Sequence, residues 1–466
     1  MVHVNVAGAA EAPSVAARLD RLPANRYTWL LVCLVSFGAF FEIYDLSLSA
    51  PLGLGLQTAG IFHKGAKGLF GLSDQANFIA VTFAGMYLGT LGFSAIADRL
   101  GRRPVFTVAL LWYAVATVIM GLQSTAASID LWRFIASIGV GLEMVTIDCY
   151  LAELTPKAMR GKAFAVSASI QFLSAPVAAF LAWRLIPGDH FGLTGWRWLA
   201  LLPAVGAGLV WWVRRALPES PRWLESRGRL AEADQIATMI EQRVMRETGA
   251  PLPPVEPVAA VVAPTARLSL WRPPYRRRTM ALIVFHLFQV VGFFGVSNWL
   301  PTLLVSQGIT IGKSLGYAAV LALVPPAAPL VFSLFSDRVE RKWLVVTGAL
   351  MVAVFGLLMA QTTQSSAATY FIAVGAGVAI GNSLMSLAYH TYQSEIFPTQ
   401  MRARGVGFVY SFSRFSAIFS GYLIAATLDR AGSVGVFTLI AGSMVIAALA
   451  VGLLGPRTRG LALEQI

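Results

Sequence analysis

The chain has 466 residues, of which 56% are hydrophobic and 13% charged. Soluble domains carry roughly 25% charged residues, so most of this chain cannot face water. The net charge of +13 does not mark a nucleic-acid binder either, because the basic residues sit in short segments between apolar runs rather than on one folded face.

Read from the start, residues 1–26 form a tail without the basic stretch and apolar core of a cleavable signal peptide. Apolar runs of membrane-crossing length follow near 27–50, 76–97, 104–123, 129–151, 163–185 and 195–213. A polar segment, 215–278, comes next. Its first part has helical spacing and charge, and its second part is a Pro/Ala/Val-rich linker. Six further runs lie near 279–302, 314–335, 343–361, 368–392, 405–428 and 433–454, before a tail at 455–466. The expected fold is an all-α membrane protein of twelve transmembrane helices, in bundles at 27–214 and 279–454. An even number of crossings puts both termini on one side. The segments on that side hold roughly 28 Lys and Arg against roughly 6 opposite, so it is the cytoplasm. Cys33 and Cys149 lie inside apolar runs and are expected to be packed, inert thiols.

Charged residues inside the runs carry the functional signal, since a charge in hydrocarbon must face water, pair with a cation or take a proton. Glu42 and Asp45 share one face of the first run, with Tyr44 between them. Arg133 opens the fourth run, where its head either enters the bundle or snorkels to the membrane edge. Glu143 and Asp148 lie deeper in that run, and Gly139 and Gly141 beside them imply close helix approach. Arg414 is the most deeply placed cation of the second half, read either as a clamp for an anionic substrate or as a partner of an acid. Gln171, His286, Gln289, Asn298, Asn382, Tyr389, His390 and Gln393 add uncharged polar groups.

The two halves repeat. Asp98-Arg99-Leu100-Gly101-Arg102-Arg103 follows the second run and Asp337-Arg338-Val339-Glu340-Arg341-Lys342 follows the eighth, an offset of 239 residues. Glu153-Leu154-Thr155-Pro156, with Arg160 beyond it, follows the fourth run. Glu395-Ile396-Phe397-Pro398, with Arg402, follows the tenth, an offset of 242. Two motifs recurring at nearly one offset indicate duplication.

At these residues the chain resembles the major facilitator superfamily, over nearly its whole length. Ser94 and Ser333 replace the first glycine of its Gly-x-x-x-Asp-Arg-x-Gly-Arg-Arg pattern, and Glu340 replaces the second in the weaker copy. Pro218-Glu219-Ser220-Pro221-Arg222 and the tail Pro456-Arg457-Thr458-Arg459-Gly460 resemble its sugar-porter and organic-acid-symporter branches. The resemblance implies alternating access, with runs 1, 4, 7 and 10 lining the cavity. It implies that Asp45, Glu42, Arg133, Glu143 and Asp148 serve proton coupling. It makes Tyr44, Gln171, His286, Gln289, Asn298, Asn382, Tyr389, His390 and Arg414 candidate substrate contacts. It makes Asp98, Arg99, Arg102, Arg103, Glu153, Arg160, Asp337, Arg338, Arg341, Glu395 and Arg402 gating residues, with Asp98 meeting the N-terminal end of run 11.

Run 5 lacks the Gly-x-x-x-Gly-Pro pattern of drug exporters, which favours uptake. Run 7 has Gln289 without the paired glutamines of sugar porters, Phe294 at the asparagine position, and the ending Trp299-Leu300-Pro301-Thr302, which looks like organic-acid symporters. The expected function is proton-coupled uptake of a small organic acid, aromatic acids included, in a bacterial inner membrane. A sugar or polyol symporter and a non-transporting sensor are the alternatives. No metal cluster, nucleophile motif or phosphate loop points to an enzyme. The expected partners are a small-molecule substrate and membrane lipid around a monomer, without nucleic acid, with a proton as coupling ion and no cofactor.

Overall fold

The computed structural model describes residues 14–63, 73–156, 159–213, 217–255, 269–333, 339–361, 368–397 and 399–458. These residues form helices, apart from a hairpin of two-residue strands that pairs Asp189 with Thr194. In the first half the helices are α1 (Val15–Asp20), α2 (Arg26–Ser47), α3 (Ser49–Thr58), α4 (Asp74–Leu100), α5 (Arg102–Gly121), α6 (Ala126–Leu154), α7 (Arg160–Phe172), α8 (Ser174–Leu185) and α9 (Gly195–Val213). The connecting segment holds α10 (Pro221–Ser226) and α11 (Leu230–Thr248). The second half has α12 (Tyr275–Ser306), α13 (Ile311–Leu321), α14 (Val324–Ser333), α15 (Arg341–Ala360), α16 (Ala368–Glu395) and α17 (Thr399–Leu449), the last running into a short π-helical turn, Ala450–Leu454.

Eight stretches among the described residues are long and apolar enough to cross a membrane. Their surfaces agree. Leu350, Val354 and Leu357 make an exposed apolar stripe along α15, and Phe415, Phe419 and Leu423 make one along α17. Stripes of this kind are stable against lipid and not against water. Cys33 is exposed on α2 rather than packed, a correction to the sequence expectation that follows from its place on an outward face.

Prolines explain where apolar runs break. Pro51, Pro176 and Pro325 each lie in the first turn of α3, α8 and α14. Proline lacks the amide needed to continue the preceding helix but is tolerated in a new first turn. The eleventh and twelfth expected runs are two helices, labelled together as α17, that join without a loop at Gly432, whose φ of 65° and ψ of −169° are non-helical. Glycines set the closest packing. A Cβ on Gly141 would lie 2.2 Å from the Met86 carbonyl, and one on Gly89 2.2 Å from that of Ile138, so α4 and α6 meet backbone to backbone. The expected close approach at Gly139 and Gly141 is therefore present.

The two halves meet where α4 packs on α17, α7 on α14, α8 on α13 and α3 on α12. One apolar core runs across that boundary, with Phe83 of α4 against Phe294 of α12 at 4.5 Å between ring centroids.

Candidate functional site

Arg133 lies two turns into α6, not at its opening, and is fully buried. Snorkelling is excluded by that position. Its guanidinium donates to the Asp45 carboxylate at 2.6 Å, to Thr82 Oγ1 at 2.9 Å, to Ser49 Oγ at 3.2 Å and to the Asp45 carbonyl at 3.3 Å. The ring of Phe78 covers it at 5.1 Å. The break between α2 and α3 makes part of this possible, because Asp45 sits in the last turn of α2 and Ser49 opens α3. A buried ion pair holds only when its geometry is good and its remaining polar groups are bonded. Tyr44 and Tyr113 are buried beside Asp45, their hydroxyls without a hydrogen-bond partner among the described residues. Glu42 and Glu143 are also buried. The side chain of Asp148 lies outside those described.

A second cluster forms in the other half. His286 Nε2 and the Gln393 side-chain Oε1 are 3.0 Å apart. Arg414, 5% exposed, donates to the Tyr410 hydroxyl at 3.1 Å and lies over that ring at 5.1 Å. Tyr389 stacks on His390 with centroids 4.3 Å apart, and His286 meets Tyr389 and Tyr410 edge-on at 5.5 Å. The arrangement is a wall of flat rings beside one guanidinium. Asn382 Oδ1 and His286 Nδ1 are buried without a hydrogen-bond partner among the described residues. Gln289 is buried on α12. Gln171 is instead bonded to Ser167 on its own helix at 3.0 Å, near the α7–α8 break. The side chain of Asn298 lies outside those described.

Of the expected gating residues, Asp337 and Arg338 and the side chains of Asp98, Arg99, Arg102, Arg160 and Arg402 lie outside the description. The remainder tie each half to itself at the α10–α11 end. The Glu219 carboxylate accepts from the Arg103 amide at 3.3 Å, capping α5. Gly101 before it has φ 102°, and a Cβ there would lie 2.7 Å from Glu219, so the motif glycine is required twice over. The Glu153 carbonyl accepts from Arg222 at 3.0 Å, and Arg341 pairs with Glu395. Tyr150 donates to the Pro218 carbonyl, and its counterpart Tyr392 donates to the Pro456 carbonyl at 2.8 Å. The two Pro-containing motifs thus occupy equivalent places, which their sequences hinted at without showing the tyrosines that hold them.

The opposite end joins the halves. Gln75 donates to Thr302 Oγ1 at 2.9 Å, and the Tyr422 hydroxyl donates to Asn77 Oδ1 at 2.9 Å. The Asn77 amide donates in turn to the Asp130 carboxylate. Sequence reading missed this group, as it missed Thr82 and Ser49. A buried acid one turn before Arg133 was the available signal.

Comparison with known proteins fits this geometry. Residues 31–466 match the sugar (and other) transporter family. The putative metabolite transport protein YyaJ of Bacillus subtilis is 32% identical over 448 residues, covering 96% of each chain. The niacin transporter NiaP of Acinetobacter baylyi is 26% identical, covering 97% of this chain and 99% of its own. The fold matches the xylose transporter XylE from E. coli in a partially occluded inward-open conformation, with a TM-score of 0.74, 18% identity and coverage of 94% and 99%. The chain belongs to the sugar (and other) transporter family, as an integral membrane secondary transporter of the major facilitator superfamily.

Proposed function

We propose that the chain is a proton-coupled symporter that brings a small, flat organic acid into the cell by alternating access. The observation that carries the reading is the pair of buried sites. Asp45 in one half is a buried acid paired with Arg133, and Arg414 among aromatic rings in the other half suits a planar carboxylate. The similarity to a niacin transporter supports an aromatic acid, since niacin is itself a ring carboxylate. In this reading the chain crosses the membrane twelve times. The α2–α3, α7–α8 and α13–α14 pairs each make one broken crossing, and α17 makes two about Gly432. The bundles occupy 27–214 and 279–454, with both termini in the cytoplasm of a bacterial inner membrane. A cysteine placed in the α10–α11 segment then answers only to reagents supplied from that side. The protein acts as a monomer, is no enzyme and needs no cofactor.

The coupling logic is linkage: a proton drives transport only if its affinity differs between the two states of the carrier. Asp45 paired with Arg133 in one state and hydrated in the other meets that condition, with Glu42 one turn away on α2 and Glu143 further along α6 as reserve acids. In proteoliposomes with a pH gradient, Asp45→Asn should lose accumulation of a benzoate-type acid and keep exchange between two loaded compartments. Concentrative uptake by Asp45→Asn with undiminished proton entry would overturn the reading. A sugar or polyol as cargo is the second reading, supported by the match to the sugar (and other) transporter family and by 25% identity with the arabinose-proton symporter of Bacillus subtilis. Uptake of a benzoate-type acid and of a sugar, measured side by side in the same proteoliposomes, separates the two.

A further inference from the structure

We propose that Asp130 is the alternate partner of Arg133, withheld from it while the halves are closed and released when they open. The inference rests on the reading of Asp45 as the proton carrier. Protonating Asp45 would leave Arg133 buried without its counter-charge among the described residues, a state that buried guanidinium groups avoid at heavy cost. A second carboxylate one turn away on the same helix removes the difficulty. Asp130 lies three residues before Arg133 on α6, the spacing at which side chains on one helix meet. Helical side chains lean towards the N-terminus, which carries the Arg133 head towards the turn that holds Asp130. Asp130 is 9% exposed, and its Oδ1 is buried with no hydrogen-bond partner among the described residues.

What restrains Asp130 here is a relay across the two halves. Its Oδ2 accepts from the Asn77 amide, whose oxygen accepts from the Tyr422 hydroxyl of α17. Neighbouring Gln75 exchanges two hydrogen bonds with Thr302 of α12, at 2.9 and 3.2 Å. When the halves part at this end, Tyr422 leaves Asn77 and Asn77 no longer fixes Asp130. The freed carboxylate accepts the Arg133 guanidinium. Asp45 then exchanges its hydrogen bond from Arg133 for a proton from outside water. Closure reverses the order, and Arg133 returning to Asp45 displaces that proton to the water on the opposite, inward side, the outer end being closed. The charged and titratable groups facing Asp45 are Arg133 of α6, Tyr113 of α5 and Tyr44 beside it, with Glu42 one turn away. Those facing Asp130 are Asp74 of α4 and Tyr422 of α17.

The pH dependence of uptake tests this against the wild type. Asp130→Asn keeps an acceptor for Asn77 but removes the counter-charge, so Asp45 should bind its proton less well. The midpoint should move about one pH unit towards acid, and Asp130→Glu should restore it. Tyr422→Phe should loosen the relay and move the midpoint the other way by about 0.5 unit, the size of one hydrogen bond. An unchanged midpoint in Asp130→Asn overturns the inference. Should that variant fail to assemble, an unchanged midpoint in Tyr422→Phe does so. Asp45→Asn separates the two levels. If it loses accumulation while Asp130→Asn titrates like the wild type, only the partner exchange falls. If it still concentrates substrate, the proton-carrier reading falls and takes the inference with it.

Discussion

A guanidinium pays for burial only through the shape of what it holds. Arg414 presents a planar fork beside Tyr410, Tyr389 and His390, so a carboxylate placed there gains two parallel hydrogen bonds while its ring lies among flat neighbours. Lysine keeps the charge and loses the fork. Arg414→Gln should therefore raise KM for a benzoate-type acid by roughly 10- to 100-fold, the range of hydrogen bonds to a charged group. Arg414→Lys should fall between that and the wild type. Uptake kinetics check both, and an unchanged KM in Arg414→Gln would remove the clamp from the argument. Residues of this kind were legible in the sequence because a charge inside an apolar run needs a partner, which singled out Asp45, Arg133 and Arg414. Asp130, Asn77 and Tyr422 were not. Asp130 lies so near the start of its run that it reads as a solvated end. Its link to Tyr422 joins residues that no periodicity connects.

Among the elements, the short helix α1 shows how little of a helix needs to be its own. Six residues cannot hold a helix in water. Ser14 caps it, and Arg18 and Arg21 both reach Glu241 of α11 at 2.7 Å, while Arg18 also holds Asp234. Asp20 takes Arg222 at 2.7 Å, and the Val15 amide donates to Glu225 at 2.7 Å. The tail and the α10–α11 segment therefore form one clamp beneath the first half. Burial raises the Glu241 carboxyl, but the hydrogen bonds and charges of Arg18 and Arg21 outweigh it and hold the group below its ordinary range. A depressed acid contributes stability above its unfolded value, near pH 4.3, and that contribution is lost as pH falls through the folded value. The clamp is thus constant around neutral pH. Glu241→Gln should destabilise the detergent-solubilised protein at pH 7 by about 1–3 kcal/mol, with the gap closing below about pH 4. Equal thermal midpoints at pH 7 would show that the clamp holds nothing. The sequence pointed to helical charge in 232–247 but read 1–26 as a bare tail, because the partners of α1 lie some two hundred residues away. The helix breaks were likewise unread: the prolines at 51 and 176 were visible, but the hydropathy around them is continuous.

For the whole molecule, the hydrogen bonds described at the two ends of the bundle differ. At the α10–α11 end, Tyr150 on Pro218 and Tyr392 on Pro456 bind each half to itself. At the other end, Gln75, Asn77, Thr302 and Tyr422 bind the halves to each other. A carrier that rocks between two states must break the second set while keeping the first. That makes the α4–α17 contact a gate facing the outside when the termini are cytoplasmic. The contact is close enough to trap. A Cβ on Gly421 would lie 3.5 Å from that of Ile79, within the range bridged by a disulfide. In a background with Cys33 and Cys149 replaced by serine, the pair Ile79→Cys and Gly421→Cys should cross-link on oxidation. The cross-linked protein should stop concentrative uptake, and reduction should restore it. Substrate binding offered from the cytoplasmic side should persist, because the trapped state is the one that closes outward. Uptake by the cross-linked protein at the reduced rate would mean that α4 and α17 need not separate for transport, and the assignment of this end as the moving gate would fail.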